Sequence, residues 1–378
     1  MKVGVVKETM AGERRVALVP DGTSKLIAAK LEVSVQAGAG REAFFSDETY
    51  QKAGATIVAD AGALLPQADA LLKVQPPSLD EVGALKSGAI LISFLQPSTN
   101  AEVVKALARQ KVTAFSLELV PRISRAQSMD ALSSQAGVAG YKAVLIAANR
   151  LPKFFPLLMT AAGTVTPARV LVLGAGVAGL QAIATARRLG AVVEAYDVRP
   201  AVKDEVKSLG ATFVELPLEA QEGQGGYARE QSEEFLRRQR ELIGEHVAAA
   251  DVVITTAAIP GRRAPILVTT EMVTKMRPGS VIVDLAADSG GNVEGTRAGE
   301  AVVIGGVTID GPRNLASALP VHASQLFSRN VSALLLTIVK DGRANMDFTD
   351  EVIKGSCLTH AGELVHPRAK ELLEPSRP

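Results

Sequence analysis

Residues 168–200 constrain the fold more than any other stretch of this 378-residue chain. An apolar run at 170–173 has the length and β-branched content of a buried parallel strand, and apolar residues at helical spacing follow from residue 180. Between strand and helix lies the segment that we call the glycine turn, with the candidate cofactor-binding residues Gly174, Ala175, Gly176, Val177 and Gly179. This order of elements predicts a βαβ unit that binds the pyrophosphate of a dinucleotide.

Asp197 ends the next apolar run, 18 residues after Gly179. A carboxylate at that place accepts hydrogen bonds from both ribose hydroxyls of NAD, whereas its charge repels the 2′-phosphate of NADP. We therefore expect a site for NAD(H), with Val198 and Arg199 beside the acid. Arg199 leaves an alternative open, because it could reach a 2′-phosphate; we favour a solvated arginine near a helix start.

The composition bounds the class of protein. A chain of this length with 47% hydrophobic and 21% charged residues predicts two or three packed globular domains. The 41 basic and 40 acidic residues nearly cancel, so we expect neither nucleic acid nor an anionic membrane surface as a partner. The single cysteine, Cys357, fits a reducing compartment, and no apolar run is long enough for direct insertion into a membrane.

The chain order indicates two sheets. The first 120 residues alternate short apolar runs with segments of helical spacing, and a second series of such runs begins near residue 170. The predicted fold class is α/β, with two doubly wound, mostly parallel-sheet Rossmann-like domains joined by long helices. Residues 320–378 include a predicted helix at 322–339 and are too few to form a core, so they must pack on an earlier domain.

Several residues follow predicted strands of the second domain. Ligands of doubly wound sheets lie outside the carboxyl ends of the strands, which makes these residues candidates for the nicotinamide side of the site: Ala257, Ala258, Pro260, Asp284 and Leu285. Ordinary strand-to-loop punctuation explains them equally well.

A glycine-rich stretch at 221–227 ends in Tyr227 and precedes a charged run at 229–245. The charged run is typical of a solvated helix. The glycine-rich stretch is either a surface connection, which the bare sequence favours, or a flap whose Tyr227 covers a bound ligand.

Residues 121–146 change character from polar to apolar. The polar part is RISRAQSMD at 122–130, and the apolar residues after it predict a long, mostly buried helix. A helix that bridges two domains is a usual place for a ligand cleft. On the bare residues, the polar part is a capped helix start, with Ser128 or Asp130 as the cap.

These motifs resemble the soluble NAD(H)-binding component of proton-translocating nicotinamide nucleotide transhydrogenases and, more distantly, alanine dehydrogenases. The resemblance covers nearly the whole chain, including KETMAGERRVALVP at 7–20, the segments 121–137 and 160–191, GGYARE at 225–230, and 272–292. The stretch RISRAQSMD is its most specific part, since dehydrogenases in general have no such loop.

The resemblance implies site residues, partners and a division into domains. Arg122, Gln127, Asp130 and Ser133 would hold the nicotinamide ring and its ribose, and Tyr227 would lie on a mobile loop. The chain would form a homodimer in the cytoplasm and would bind an NADP(H)-carrying component and a membrane component that conducts protons. Its first domain would comprise residues 1–130 and 320–378, and its NAD(H)-binding domain residues 131–319.

The chemistry distinguishes the two related activities. Oxidation of an amino acid moves a proton as well as a hydride and needs a general acid or base, but Gln96 stands where the resemblance to alanine dehydrogenase implies a histidine. Arg15 and Lys73 resemble that enzyme's substrate-binding pair, so a vestigial carboxylate pocket is conceivable. Direct transfer between two nicotinamide rings needs only positioning, which suits non-titrating polar residues. An amino-acid dehydrogenase and a non-catalytic NAD-binding regulator stay open as alternatives; no metal site is expected.

Overall fold

The computed structural model describes residues 1–215, 233–258, 263–367 and 370–371. The chain forms two compact units, Met1–Gln135 with Ser317–Pro378, and Ala136–Ala316. Tyr227, Pro260 and the glycine-rich stretch at 221–227 lie outside the described residues. The division differs by a few residues from the predicted boundaries because one continuous helix runs through the first of them.

The first unit begins with a regular alternation of strands and helices. Its strands are β1 (Lys2–Val5), β2 (Glu32–Gln36), β3 (Thr56–Val58), β4 (Ala70–Leu72), β5 (Ile90–Ser93) and β6 (Thr113–Ser116). Its helices are α1 (Pro20–Ala28), α2 (Asp47–Lys52), α3 (Ala61–Leu64), α4 (Leu79–Ala84) and α5 (Ala101–Arg109). The strands are parallel, in the order β3-β2-β1-β4-β5-β6. This order reverses between β1 and β4, as in doubly wound nucleotide-binding sheets.

The long helix α6 (Ala131–Arg150) leads from the first unit into the second, as predicted from its apolar residues. The strands of the second unit are β7 (Leu158–Thr160), β8 (Gly163–Val165), β9 (Arg169–Leu173), β10 (Val192–Tyr196), β11 (Thr212–Phe213), β12 (Val252–Thr255), β13 (Val281–Asp284), β14 (Ala301–Ile304) and β15 (Val307–Asp310). The helices that follow are α7 (Val177–Arg188), α8 (Lys203–Ser208), α9 (Glu233–Ala249) and α10 (Thr270–Thr274). The main sheet has the order β11-β10-β9-β12-β13-β15-β14, with only β14 antiparallel, while β7 and β8 form a separate hairpin.

The chain then returns to the first unit. The returning elements are α11 (Pro320–Thr337), β16 (Val339–Lys340), β17 (Arg343–Ala344), α12 (Glu351–Ser356), β18 (Cys357–His360) and β19 (Glu363–Leu364). Strand β18 pairs antiparallel with β6, and β19 follows at the edge. Residues 320–378 therefore complete the first sheet, which the sequence predicted only as packing on an earlier domain.

Both faces of each sheet are covered by helices, which explains the unbroken apolar runs of the central strands. On β4, Leu72 belongs to the same core cluster as Phe327 of α11, whereas its neighbour Leu71 packs on the opposite face with Leu107 of α5. The second sheet repeats this arrangement, with α7 on one face and α9 on the other. The predicted fold class is confirmed. Among the described residues, no helix combines the length and the apolarity needed to cross a bilayer.

Candidate dinucleotide-binding site

The glycine turn joins the carboxyl end of β9 to the start of α7. Gly174 has a φ of +101°, which disfavours any residue with a side chain, and an ideal Cβ on it would lie 2.6 Å from the hydroxyl oxygen of Thr256. An ideal Cβ on Gly179 would lie 1.8 Å from the carbonyl oxygen of Gly174. The turn and its contact with the helix therefore require glycine at both positions.

Gly176 faces open space instead. The nearest side-chain atom to an ideal Cβ at this position is Nη2 of Arg199, at 4.0 Å. Gly176 also caps α7, whose first N–H groups have no acceptor within the helix. Open space beside free N–H groups at a helix start fits the pyrophosphate of a dinucleotide.

Strand β12 ends against the glycine turn. The hydroxyl of Thr256 donates to the carbonyl of Gly174 at 3.0 Å, and the main-chain nitrogen of Ala257 lies 3.2 Å from the ideal Cβ position of Gly174. The structure thus places the glycine turn and Ala257 together at the point where the strand order reverses, while Ala258 is exposed. Sequence reasoning did not single out Thr256, whose only signal was its place at a strand end.

Asp197 is deeply engaged with the protein. One carboxylate oxygen accepts from the main-chain N–H of Ala175 at 2.7 Å and from Nη2 of Arg199 at 2.8 Å. The other accepts from the main-chain N–H and the Nε of Arg199, both at 2.9 Å. These four bonds fill the acceptor positions of a carboxylate, and the Asp197 side chain is 6% exposed.

Arg199 is therefore not the solvated side chain that the sequence favoured. It forms a bidentate ion pair with Asp197, because the guanidinium can fold back on a carboxylate two residues earlier. The pair neutralises the charge that was expected to repel a 2′-phosphate. Selection between NAD and NADP consequently depends on both residues.

A phenol, a buried acid and an apolar residue complete the described part of this site. Tyr196 ends β10, and burial raises its pKa to about 12, so the phenol stays protonated at neutral pH. The Asp284 side chain is fully buried and accepts from Thr255, Ala286, Asn292, Val293 and Thr296. Asp284 thus holds together the segments after β12 and β13 and does not present its carboxylate to a ligand, contrary to our expectation. Leu285, half-buried, donates its N–H to Thr255 and stays a predicted lining residue.

Asn292 extends this network to the predicted nicotinamide side. Its amide nitrogen donates to the carbonyls of Ala257 and Pro265, both at 2.8 Å, while its main-chain N–H donates to Asp284 at 2.8 Å. Sequence reasoning did not identify Asn292, because nothing in its neighbourhood marks it as a partner of a strand end 35 residues earlier.

The second group of candidate residues lies in the first unit, between β6 and α6. A 3₁₀ helix, Ser124–Met129, precedes α6, and Asp130 caps α6 by accepting from the N–H of Ser133 at 2.9 Å and from its hydroxyl at 2.6 Å. The cap interpretation is therefore correct for Asp130. Arg122 and Gln127 are exposed at their own positions, whereas Ser133 is half-buried.

The residues that suggested a vestigial carboxylate pocket are engaged with carboxylates of the protein itself. Arg15 makes a bidentate pair with Glu13, and burial is outweighed by these contacts, which lower the pKa of Glu13 to about 2. Lys73 is 1% exposed and lies 2.9 Å from Glu81. Neither cation is presented to a substrate carboxylate.

The group that replaces the implied histidine also has no proton to exchange. Gln96 is exposed and donates its main-chain N–H to Glu118 at 2.9 Å. Within the described ranges, no group of three or more His, Cys, Asp or Glu residues is arranged to hold a metal ion.

Two doubly wound α/β units, one with a glycine turn and an acid at the end of the next strand, define a protein of the dinucleotide-binding class. The chain matches the family descriptions "Alanine dehydrogenase/PNT, N-terminal domain" over residues 4–139 and "Alanine dehydrogenase/PNT, C-terminal domain" over residues 143–367. It belongs to this family, which confirms the resemblance drawn from its motifs.

Individual relatives include both branches of the family. The chain is 50% identical over 377 residues to the first of the separate chains that form the NAD(P) transhydrogenase alpha subunit of Rhodospirillum rubrum, covering 97% of this chain and 98% of that protein. It is 35% identical over 300 residues to the alanine dehydrogenase of Mycobacterium tuberculosis, covering 79% and 75%. The crystal structure of a transhydrogenase from Sinorhizobium meliloti superposes with a TM-score of 0.89 at 46% identity, covering 97% of this chain and all of that one.

Proposed function

We propose that the chain is the NAD(H)-binding component of a proton-translocating NAD(P) transhydrogenase. In this role it exchanges a hydride directly with NADP(H) that a second component holds, and a membrane component couples the exchange to proton movement. The geometry of the glycine turn carries the proposal: two positions exclude any side chain, and a third faces open space at the start of α7. The 50% identity to a transhydrogenase subunit, over nearly the full length of both chains, selects this activity within the family.

The residues of the second unit would bind the nucleotide. The N–H groups at the start of α7 face the pyrophosphate, and Gly176 leaves the space for it. Asp197 accepts from the adenosine ribose once Arg199 gives up part of its contact with the carboxylate. Val198, Ala257, Ala258, Leu285 and, from the part of the chain that is not described, Tyr227 remain proposed contacts.

The residues of the first unit would orient the reacting end of the nucleotide. When bound, the nicotinamide ring supplies or accepts the hydride. Arg122 and Gln127 are exposed and offer donors and an acceptor for the ring's carboxamide, while Asp130 and Ser133 form a fixed cap that presents polar groups beside them. None of these four side chains has to give or take a proton, which agrees with hydride transfer between two carbon atoms.

The alternative activity of the family requires features that the described residues do not offer. An amino-acid dehydrogenase needs a proton carrier and a free cation for the substrate carboxylate. The chain has Gln96 in place of the carrier, and Arg15 and Lys73 are each paired with a glutamate. We expect the isolated chain to form no NADH from NAD and alanine.

The chain would act as a homodimer at the inner face of a membrane, attached through its partners. The β7–β8 hairpin offers a surface for self-association, since all six of its residues are exposed and no charged residue occurs between Lys153 and Arg169. Two copies can therefore meet there without repulsion between like charges.

The decisive experiment combines the purified chain with the NADP(H)-binding component. Reduction of an NADP analogue with a shifted absorption by NADH would support the proposal, and Gln127→Ala should slow that reaction about tenfold without a matching loss of NADH affinity. Tight NADH binding without any hydride exchange, with the membrane component also present, would identify a non-catalytic regulator instead.

A further inference from the structure

The loop that carries the proposed ring-binding residues is anchored by a side chain from the far end of the chain. Asn330 on α11 donates from its amide nitrogen to the carbonyl of Ser128 at 2.9 Å, across 202 residues of sequence. The hydroxyl of Ser134 donates to the amide oxygen of Asn330 at 2.7 Å. Asn330 is 6% exposed, so its two bonds lie in the interior of the first unit.

The two bonded segments are those that hold the candidate residues. Ser128 lies in the 3₁₀ helix directly after Gln127, and Ser134 lies in the first turn of α6 directly after Ser133. One amide group therefore fixes the spacing between the exposed Gln127 and the cap formed by Asp130 and Ser133.

A buried amide is well suited to this task. The carbonyl of Ser128 needs a donor and the hydroxyl of Ser134 needs an acceptor, and the side chain of asparagine offers both on one short, rigid group. Leucine has a similar shape but offers neither, and aspartate offers only acceptors while it is ionised. The local sequence of the loop contains no substitute, because the other buried residues of the 3₁₀ helix, Ala126 and Met129, pack into the apolar core.

We infer that Asn330 is a positioning residue for hydride transfer: it holds Gln127 and Ser133 in the mutual arrangement that the nicotinamide ring requires, without touching the nucleotide. This inference rests on the proposed function. It assigns to α11 a role in the reaction as well as in the core.

The variant Asn330→Asp tests this inference through its pH dependence. At pH 8 the ionised carboxylate faces the Ser128 carbonyl without a proton to donate, so transfer relative to wild type should fall about tenfold. Protonation restores an O–H donor, so the ratio to wild type should recover as the pH is lowered to about 5.5. NADH affinity should change less than threefold, because the glycine turn and Asp197 are unaltered.

The matched control is Ser332→Ala on the same helix, whose buried hydroxyl has no hydrogen-bond partner among the described residues. It should match wild type at every pH. Hydrogen exchange at residues 126–134 of the chain alone gives a readout that is independent of the reaction, and Asn330→Asp should accelerate it at pH 8 but not at pH 5.5.

The outcomes separate the inference from the proposed function. Faster exchange in the loop together with an unchanged transfer ratio would overturn the positioning role. A loss of transfer that is the same at both pH values, with lowered thermal stability, would overturn it too, since it would indicate general damage. Absence of transfer in the wild-type chain, with normal NADH binding, would instead refute the proposed function.

Discussion

The carboxylate of Asp197 and the guanidinium of Arg199 act as one unit. In the described structure Arg199 occupies three of the four acceptor positions of the acid, and its Nη2 also lies closest to the open side of Gly176. A ribose must displace part of this contact, while a 2′-phosphate would find a cation beside the acid. Selection for NAD(H) is therefore weaker than an isolated carboxylate would make it.

Removal of the arginine should sharpen the selection. In Arg199→Ala the Asp197 charge is no longer compensated, so NADPH binding should weaken more than NADH binding, and the ratio of the two dissociation constants should rise about tenfold. Fluorescence titration of the isolated chain with each nucleotide measures this ratio. Arg199→Lys keeps the charge and serves as the control; an unchanged or lower ratio in Arg199→Ala would contradict the paired role.

Burial makes the Glu13–Arg15 pair important for stability. Both side chains are almost fully buried, and Glu13 also accepts from Gln75 at 2.7 Å. Arg15→Ala leaves an uncompensated buried carboxylate, which should reduce the free energy of unfolding by about 3–5 kcal/mol. Urea denaturation provides the measurement.

A second variant isolates the charge effect. Glu13→Gln combined with Arg15→Met removes both charges and keeps the side-chain volume, so it should regain at least half of the lost stability. An equally large loss in the double variant would mean that packing, not the charge, is responsible.

At the scale of the elements, α12 is tied to the 3₁₀ helix Ser124–Met129. Arg125 makes a bidentate pair with Asp350, with both distances at 2.8 Å, and Asp350 also caps α12. The hydrogen bonds from Arg125 lower the pKa of Asp350 to about 2. A lowered pKa in the folded state means that this stabilisation is complete above the ordinary carboxyl pKa near 4 and is lost as the pH falls towards 2.

Asp350→Asn should therefore lower the urea midpoint at pH 7 but have a smaller effect at pH 3. Asparagine is as good an N-cap as aspartate, so the variant removes the ion pair and retains the cap. The urea midpoints of wild type and variant, compared at both pH values, provide the test. A difference that grows towards acid pH would contradict the assigned pKa shift.

The hairpin β7–β8 is the element with the most exposed apolar surface for its size. Met159 on β7 is 72% exposed, and Leu157 and Phe154 just before it are also exposed. Such a patch on a protein of this class indicates contact with another chain.

At the scale of the whole molecule, this patch predicts the homodimer. Met159→Asp introduces a charge that two copies would bring together, so the dimer should dissociate to monomers, as measured by sedimentation velocity. Val303→Asp, which changes an equally exposed residue on β14, should leave the dimer intact. A dimer that persists in Met159→Asp would place the interface elsewhere.

The sequence by itself determined the local units of this protein. The strand β9, the glycine turn, α7 and the acid after β10 form one continuous segment, and their roles follow from φ angles, helix N–H groups and strand length within that segment. The cap at Asp130 and the two series of alternating strands were accessible for the same reason.

Only the tertiary structure decided which distant groups meet. Thr256 reaches Gly174 across 82 residues, and Asn330 reaches Ser128 across 202, because sheet order and helix packing bring their elements together. The pairing of Arg199 with Asp197 is near in sequence, but the direction of a long, flexible side chain depends on its surroundings. Backbone preferences are local and can be read from neighbouring residues, whereas the partner of a polar side chain is fixed only when the chain has folded around it.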